Sequence, residues 1–228
     1  MTLGPRLSAF WRRVFSMVIH TDLGGTPATV SVTETALTVG QGDDRVAAWD
    51  RGGRLYSVAD ASRTCRRGLN GRVLVKWRSA GRRRRAWATA EEADAVIDDA
   101  AALAAQALQA VRASSVDGAP DLLAALARAS AFDSTAAHAD AGRFEHVYQP
   151  IGILPPDQYL ALVLQATAGC SFRSCTFCGF YGNPYRVRSA VEFRCHVQQV
   201  VEYLGDSASL RRRAVFLGSA NALAVPMP

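Results

Sequence analysis

Three of the five cysteines lie within nine consecutive positions, and this spacing constrains the fold more than any other feature of the sequence. Cys170, Cys175 and Cys178 form a C-x4-C-x2-C pattern, whereas Cys65 and Cys195 stand alone. Because a disulfide framework uses an even number of spread-out cysteines, the crowding favours a metal site and a reducing compartment. We therefore expect a cytoplasmic protein that holds three thiols on one loop.

The first third of the chain is rich in β-branched residues and in alternating apolar and polar residues. This pattern extends over residues 29–87 and is typical of antiparallel strands. The Asn70-Gly71 pair suits a tight hairpin turn, so we expect a small antiparallel sheet. Residues 1–20 mix arginines with aromatic residues and lack the features of a secretory signal, which predicts a frayed basic helix or an upstream extension.

Helical signals follow the predicted sheet. Thr89 and Glu92 form a capping box, and apolar residues then recur at helical spacing over residues 90–112. Pro120 is the expected start of a shorter helix. A polar, alanine-rich stretch then leads to several prolines. We expect an N-terminal extension (1–27), a β-rich and helical domain (28–149), and a third unit (150–228).

The third unit has the order strand, cysteine loop, helix and strand. Residues 159–165 are a continuous apolar run of strand length, and the cysteines follow its carboxyl end, where α/β folds build their sites. Ser189 and Glu192 form a second capping box, and Gly205 is the expected end of that helix. Residues 213–217 read as a second buried strand. The pattern predicts one parallel β-α-β unit.

The cysteine loop resembles the signature of the radical S-adenosylmethionine (SAM) superfamily. The three cysteines and Phe177, an aromatic residue just before the last cysteine, carry the resemblance. The commonest form of the signature has three residues between its first two cysteines, and this chain has four. The longer spacing is similar to that of the oxygen-independent coproporphyrinogen oxidase-like and anaerobic cyclase-like branch.

The resemblance implies an enzyme with two cofactors. Cys170, Cys175 and Cys178 would ligate a [4Fe-4S] cluster, and S-adenosyl-L-methionine would bind the iron that has no cysteine ligand. A one-electron reductant such as flavodoxin or ferredoxin would then allow cleavage of SAM to a 5′-deoxyadenosyl radical. This radical would abstract hydrogen from a small-molecule or other unknown substrate.

The same resemblance implies further cofactor-binding residues. Phe177 would lie beside the adenine, and the backbone near Phe180 would hydrogen-bond it. Gly218 and Ser219 occupy the place of a family motif that holds the SAM amino group, although the usual acidic residue is absent.

The fold class that the resemblance implies is α/β. We expect the small antiparallel and helical region to be followed by the first β-α-β portion of a partial (β/α)6 radical SAM barrel. Residues 159–228 have room for little more than one and a half of the barrel's repeated units. We therefore expect a truncated catalytic domain, whether as a fragment, a truncated gene or a split protein.

An alternative interpretation is a zinc-stabilised binding module that contacts nucleic acid or a protein partner. Cys175 and Cys178 would then form a zinc knuckle, with Cys170 as the third ligand and Cys195 or His196 as the fourth. Zinc sites usually combine two separated ligand pairs, and this sequence has no second pair.

Basic residues are frequent, with a formal net charge of +6, and Lys76 is the only lysine. Residues 82–85 are four arginines, and together with Trp77 and Trp87 they are a possible nucleic-acid patch. A solvated hairpin tip in a chain that is rich in arginine explains these residues equally well, and we favour that interpretation. No run approaches the roughly 20 apolar residues of a membrane-spanning helix.

Overall fold

The structure, a computed structural model, describes residues 16–114, 119–150, 160–172, 176, 184–211 and 214–218. Its largest feature is an eight-stranded antiparallel sheet in which each strand pairs with the next along the chain. The strands are β1 (Met17–Asp22), β2 (Pro27–Val32), β3 (Ala36–Gln41), β4 (Arg45–Asp50), β5 (Leu55–Ala59), β6 (Arg63–Arg67), β7 (Val73–Ser79) and β8 (Arg82–Trp87). The sheet is thus a meander with β1 and β8 at its edges.

One face of the meander forms the main hydrophobic core. Alternate residues of β2 and β3 point to this face, where Val30 lies opposite Val39 and Val32 opposite Leu37. The period-two pattern in the sequence therefore decides which face is covered. The sheet is larger than we expected, because the arginine-rich segments of β6 and β8 also pair as strands. Residues 17–20, which we expected in a basic helix or an extension, pair with β2.

Three helices follow the sheet, and their buried residues join the same core. They are α1 (Ala90–Ala113), α2 (Pro120–Ser130) and α3 (Ser134–Val147). The capping box of Thr89 and Glu92 begins α1, as the sequence predicts. We predicted no helix at α3, where Asp133 is the N-cap. Of the helices that the structure describes, none combines the length and the hydrophobicity needed to cross a membrane.

The last part of the chain forms a smaller unit. It contains β9 (Leu162–Gln165), β10 (Thr167–Ala168), β11 (Arg186–Val187), α4 (Ala190–Leu204), a 3₁₀ helix (Gly205–Arg211) and β12 (Val215–Gly218). β9 and β12 pair in parallel, and α4 lies between them along the chain. The capping box of Ser189 and Glu192 begins α4, and Gly205 ends it with a φ of 50°.

The expected α/β fold class, with a portion of a partial (β/α)6 barrel, is wrong. Among the described residues, parallel pairing is limited to the two strands β9 and β12. Val215 is 58% exposed and Leu217 51% exposed, so β12 lacks the covering on both faces that barrel strands have. The fold is an eight-stranded antiparallel meander followed by helices and one parallel pair of strands.

A buried ionic cluster joins the smaller unit to the sheet. The carboxylate of Asp140 on α3 is completely buried and accepts hydrogen bonds from Arg54 Nε at 2.8 Å and Arg67 Nη2 at 3.2 Å. Arg54 also donates to the carbonyl oxygens of Tyr203, at 2.7 Å, and Leu204, at 3.3 Å, in the last turn of α4. Arg54 belongs to the turn between β4 and β5. Its guanidinium group therefore joins that turn to α3 and to the end of α4.

Replacing the central carboxylate should destabilise the whole protein. Asp140→Asn keeps the side-chain shape but leaves Arg67 buried without a counter-charge and Arg54 with Asp50 alone, so we expect a loss of about 3–5 kcal/mol in the free energy of unfolding. Urea denaturation at pH 7.5 measures this loss.

Asp99→Asn is the matched control. Asp99 pairs with Arg45 at 2.5 Å, but its side chain is 63% exposed, so we expect a change of less than about 1 kcal/mol. Equal losses in the two variants would contradict a dominant role for the buried cluster.

Candidate cluster-binding loop

A short strand pair closes the base of the cysteine loop. β10 lies just before the loop and β11 just after it, and they pair with Thr167 opposite Val187 and Ala168 opposite Arg186. The backbone N–H of Arg188 extends this ladder by donating to the Ala166 carbonyl oxygen at 3.0 Å. Because the ladder fixes both ends of residues 169–185, all three cysteines of the pattern belong to one closed loop. The sequence analysis missed this pair, since two-residue strands leave no periodic signal.

Cys170 is the cysteine of the pattern that the structure describes, and a backbone N–H contacts its sulfur. It follows Gly169, which has a φ of 63°, and its side chain is half-buried. The backbone N–H of Phe172 donates to Cys170 Sγ at 3.4 Å. Hydrogen bonds from backbone N–H groups to sulfur are typical of the cysteines that hold iron–sulfur clusters.

Most of the other predicted site residues cannot be placed. Cys175, Cys178, Phe177, Phe180 and Ser219 lie outside the described residues. Within the described part of the chain, no three histidine, cysteine or acidic side chains form a group that could hold a metal ion.

Gly218 is the other predicted site residue that is described. It is the last residue of β12 and lies opposite Gln165, the last residue of β9. Gly218 and Gln165 therefore share the carboxyl edge of the parallel pair, and the cysteine loop follows Gln165 along the chain.

Gln165 is held by a polar network that the sequence analysis missed. Its backbone N–H donates to His196 Nε2 at 3.0 Å. Its side-chain amide forms two hydrogen bonds with the backbone of Gln149, at 3.0 and 2.9 Å. Tyr148 adds a hydrogen bond of 3.0 Å from its hydroxyl to the Val163 carbonyl oxygen. The end of β9 that leads into the loop is therefore tied to α4 and to the segment after α3.

His196 is a neutral structural residue in this network. Its side chain is buried against the Tyr148 ring in a T-shaped contact, and Nε2 accepts a hydrogen bond from the Gln165 backbone N–H. The pKa of His196 is lowered from 6.5 to about 4, mainly by burial and also by the nearby charge of Arg188, while the Val147 backbone opposes the shift. Nε2 is therefore engaged, which disfavours His196 as the fourth ligand of a zinc site.

The isolated cysteines also have ordinary environments. Cys195, the other proposed fourth zinc ligand, is exposed on α4. Cys65 is buried in β6, and its burial raises the pKa of the thiol. This environment agrees with the packing role that we expect for Cys65.

The low pKa of His196 predicts a specific loss of stability in acid. The unfolded chain binds a proton near pH 6.5, whereas the folded protein does so only near pH 4, so stability falls as the pH falls through this range. His196→Gln keeps an acceptor for the Gln165 N–H but cannot titrate. Between pH 7 and pH 4 the wild-type protein should lose about 2–3 kcal/mol more than the variant. Urea denaturation across this pH range measures the difference, and parallel pH profiles for the two proteins would refute it.

Comparison of the chain with protein-family models, with curated proteins and with solved structures finds no match. Any function assigned to the chain therefore depends on its own residues and their geometry.

Proposed function

We propose that this protein is a radical SAM protein that binds a [4Fe-4S] cluster and S-adenosyl-L-methionine at the cysteine loop. The observation that carries the proposal is the C-x4-C-x2-C pattern within a loop whose base is closed by β10 and β11. A closed loop limits how far the three thiols can separate, so a single cluster can collect all of them.

The donor set fits such a cluster. Cys170, Cys175 and Cys178 supply three thiolates, which leaves one iron of a four-iron cluster without a protein ligand. The N–H that Phe172 donates to Cys170 Sγ is a contact of the kind that the sulfur ligands of iron–sulfur clusters receive. A zinc site would need a fourth protein ligand, and His196 has its Nε2 committed to Gln165.

Gly218 offers a second supporting observation. An added Cβ there would meet the Phe216 ring at 3.6 Å and Val163 Cγ1 at 3.7 Å, which are ordinary contacts. Packing among the described residues therefore does not require glycine at this position. We infer that the missing side chain leaves room for the amino end of SAM, with Ser219 as its neighbour in the motif.

When bound, the cluster and SAM supply a radical by one-electron reductive cleavage of a carbon–sulfur bond in SAM. In this proposal the chain's own residues bind and orient. The three cysteines hold the iron, Phe177 and the backbone at Phe180 hold the adenine, and the Gln165 network keeps the strand end in place. The positioning of the cofactors and the exclusion of water are the protein's share of such chemistry.

The proposed setting is the reducing cytoplasm. Among the described residues, Cys65, Cys170 and Cys195 are all free thiols. A one-electron donor such as flavodoxin or ferredoxin is the proposed reductant. The substrate is proposed only as a hydrogen-atom donor.

Anaerobic reconstitution with iron and sulfide tests the cluster. We expect a brown protein with about four irons per chain, and Cys170→Ala should lose most of that iron because it removes one of three ligands. Cys195→Ala changes an exposed thiol on α4 and should retain the cluster. Iron and sulfide analysis with absorption spectra provides the measurement. Colourless protein with one zinc per chain, or equal iron loss in both variants, would overturn the cluster.

SAM cleavage is a separate prediction. The reconstituted wild-type protein, once reduced with dithionite, should convert SAM to methionine and 5′-deoxyadenosine, which chromatography with mass spectrometry detects. Cys170→Ala should form neither product above the level of free iron and sulfide. A stable cluster that leaves SAM intact would contradict the radical SAM assignment and leave cluster binding standing.

A further inference from the structure

The hairpin of β7 and β8, residues 73–87, is exposed along most of its length, and we call it the basic ribbon. From Lys76 to Ser79 every residue of β7 is exposed, and so is every residue of β8. The turn at its tip contains Ala80, with a φ of 48°, and Gly81, with a φ of 73°. The ribbon therefore presents backbone and side chains to solvent beyond the hydrophobic core.

The basic ribbon concentrates positive charge in opposed pairs. The register sets Lys76 directly opposite Arg85 and Arg78 directly opposite Arg83. Six cations share this short segment: Lys76, Arg78, Arg82, Arg83, Arg84 and Arg85. None of these six side chains forms an ion pair or a hydrogen bond with another described residue. Like charges that face each other across two strands destabilise a sheet.

Protection of the sheet edge does not explain this arrangement. β8 is an edge strand, and charged side chains on such a strand discourage unwanted pairing with other chains. Edge protection requires charges on β8 alone. It would be equally effective if β7 carried acidic residues opposite them. β7 is an inner strand, yet it places Lys76 and Arg78 against the arginines of β8. The opposed pairs therefore suggest a polyanionic partner that offsets their repulsion.

A cleft beside the basic ribbon adds an aromatic ring to the charges. The cleft has a volume of about 660 Å³ and lies between the ribbon and the turn that joins β5 to β6. Its cationic lining residues are Arg63, Lys76, Arg78, Arg83, Arg84 and Arg85. Trp77 also lines it and is 36% exposed. Asp60 is the acidic residue of this lining, and it pairs with Arg63 at 3.6 Å.

We propose that the basic ribbon and its cleft bind a single-stranded nucleic acid, with the cations on phosphates and the Trp77 ring against an unpaired base. Cationic grooves with exposed aromatic rings are how proteins hold single strands, since every base offers a face for stacking. An anionic membrane fits less well, because the tip carries Ser79, Ala80 and Gly81 and offers no large apolar side chain to insert.

This inference is independent of the proposed cluster chemistry. Its residues lie on β6, β7 and β8, and the cysteine loop follows β9. Binding of an oligonucleotide requires no iron, so failure of one proposal leaves the other testable.

Fluorescence anisotropy with the full chain and a labelled single-stranded oligonucleotide tests the proposal. Arg78→Gln combined with Arg83→Gln should weaken binding about 10- to 100-fold near 0.1 M salt and lower the slope of log affinity against log salt by about 1.4. The double variant should also unfold at the same or a higher temperature, because it relieves a repulsion. Lysine at both positions should restore most of the binding and the slope.

Two controls match these changes. Arg112→Gln combined with Arg194→Gln removes the same charge from exposed positions on α1 and α4 and should change affinity less than threefold. Trp77→Leu should weaken binding about 5- to 100-fold by removing the stacking ring. Trp87→Leu should leave binding unchanged, since Trp87 already stacks under Arg72 at 3.9 Å and does not line the cleft.

Three outcomes would overturn the proposal. The first is equal affinity for the wild type and the Arg78/Arg83 double variant. The second is equal or tighter binding of a duplex of the same sequence. The third is binding to vesicles of phosphatidylserine and phosphatidylcholine without binding to the oligonucleotide.

Discussion

The carboxylate of Asp140 is the contact on which the arrangement of the whole chain depends. It is completely buried and pairs with both Arg54 and Arg67, so it supplies the counter-charge that these two buried guanidinium groups share. Arg54 in turn donates to carbonyl oxygens in the last turn of α4, where the helix dipole favours a positive group. Gly52 lets the turn between β4 and β5 approach the 3₁₀ helix closely, since an added Cβ at Gly52 would lie 2.2 Å from Ser207 Oγ.

A continuous set of contacts leads from this cluster to the cysteine loop. Arg54 fixes the end of α4, α4 carries His196, and His196 accepts the backbone N–H of Gln165 at the end of β9. Each of these groups is buried, so water cannot replace the lost hydrogen bonds at low cost. The position of Cys170 therefore depends on side chains far from it in sequence, and the sheet serves as the support for the loop.

Local sequence signals predicted where helices begin and end better than they predicted which elements pack together. The capping boxes at Thr89 and Ser189 and the stop at Gly205 were visible because each depends on residues three or fewer positions apart or on one glycine. The barrel prediction was wrong because an apolar run predicts one buried strand and says nothing of how many strands join it. α3 escaped prediction because Asp140, one of its buried residues, is held by arginines from distant strands. In the candidate site, the cysteine spacing was readable, whereas the Gln165 network was not.

Arginine is frequent throughout this chain, but the structure uses it in two opposite ways. The buried guanidinium groups of Arg54 and Arg67 each have a carboxylate partner, because an unpaired charge in the interior is costly. The cations of the basic ribbon have no such partner among the described residues and face one another across two strands. A bias in composition would raise the number of arginines, but it would not by itself set like charges directly opposite one another. The net charge of +6 is therefore less informative than its location, since six unneutralised cations gather in the basic ribbon, beside an exposed tryptophan.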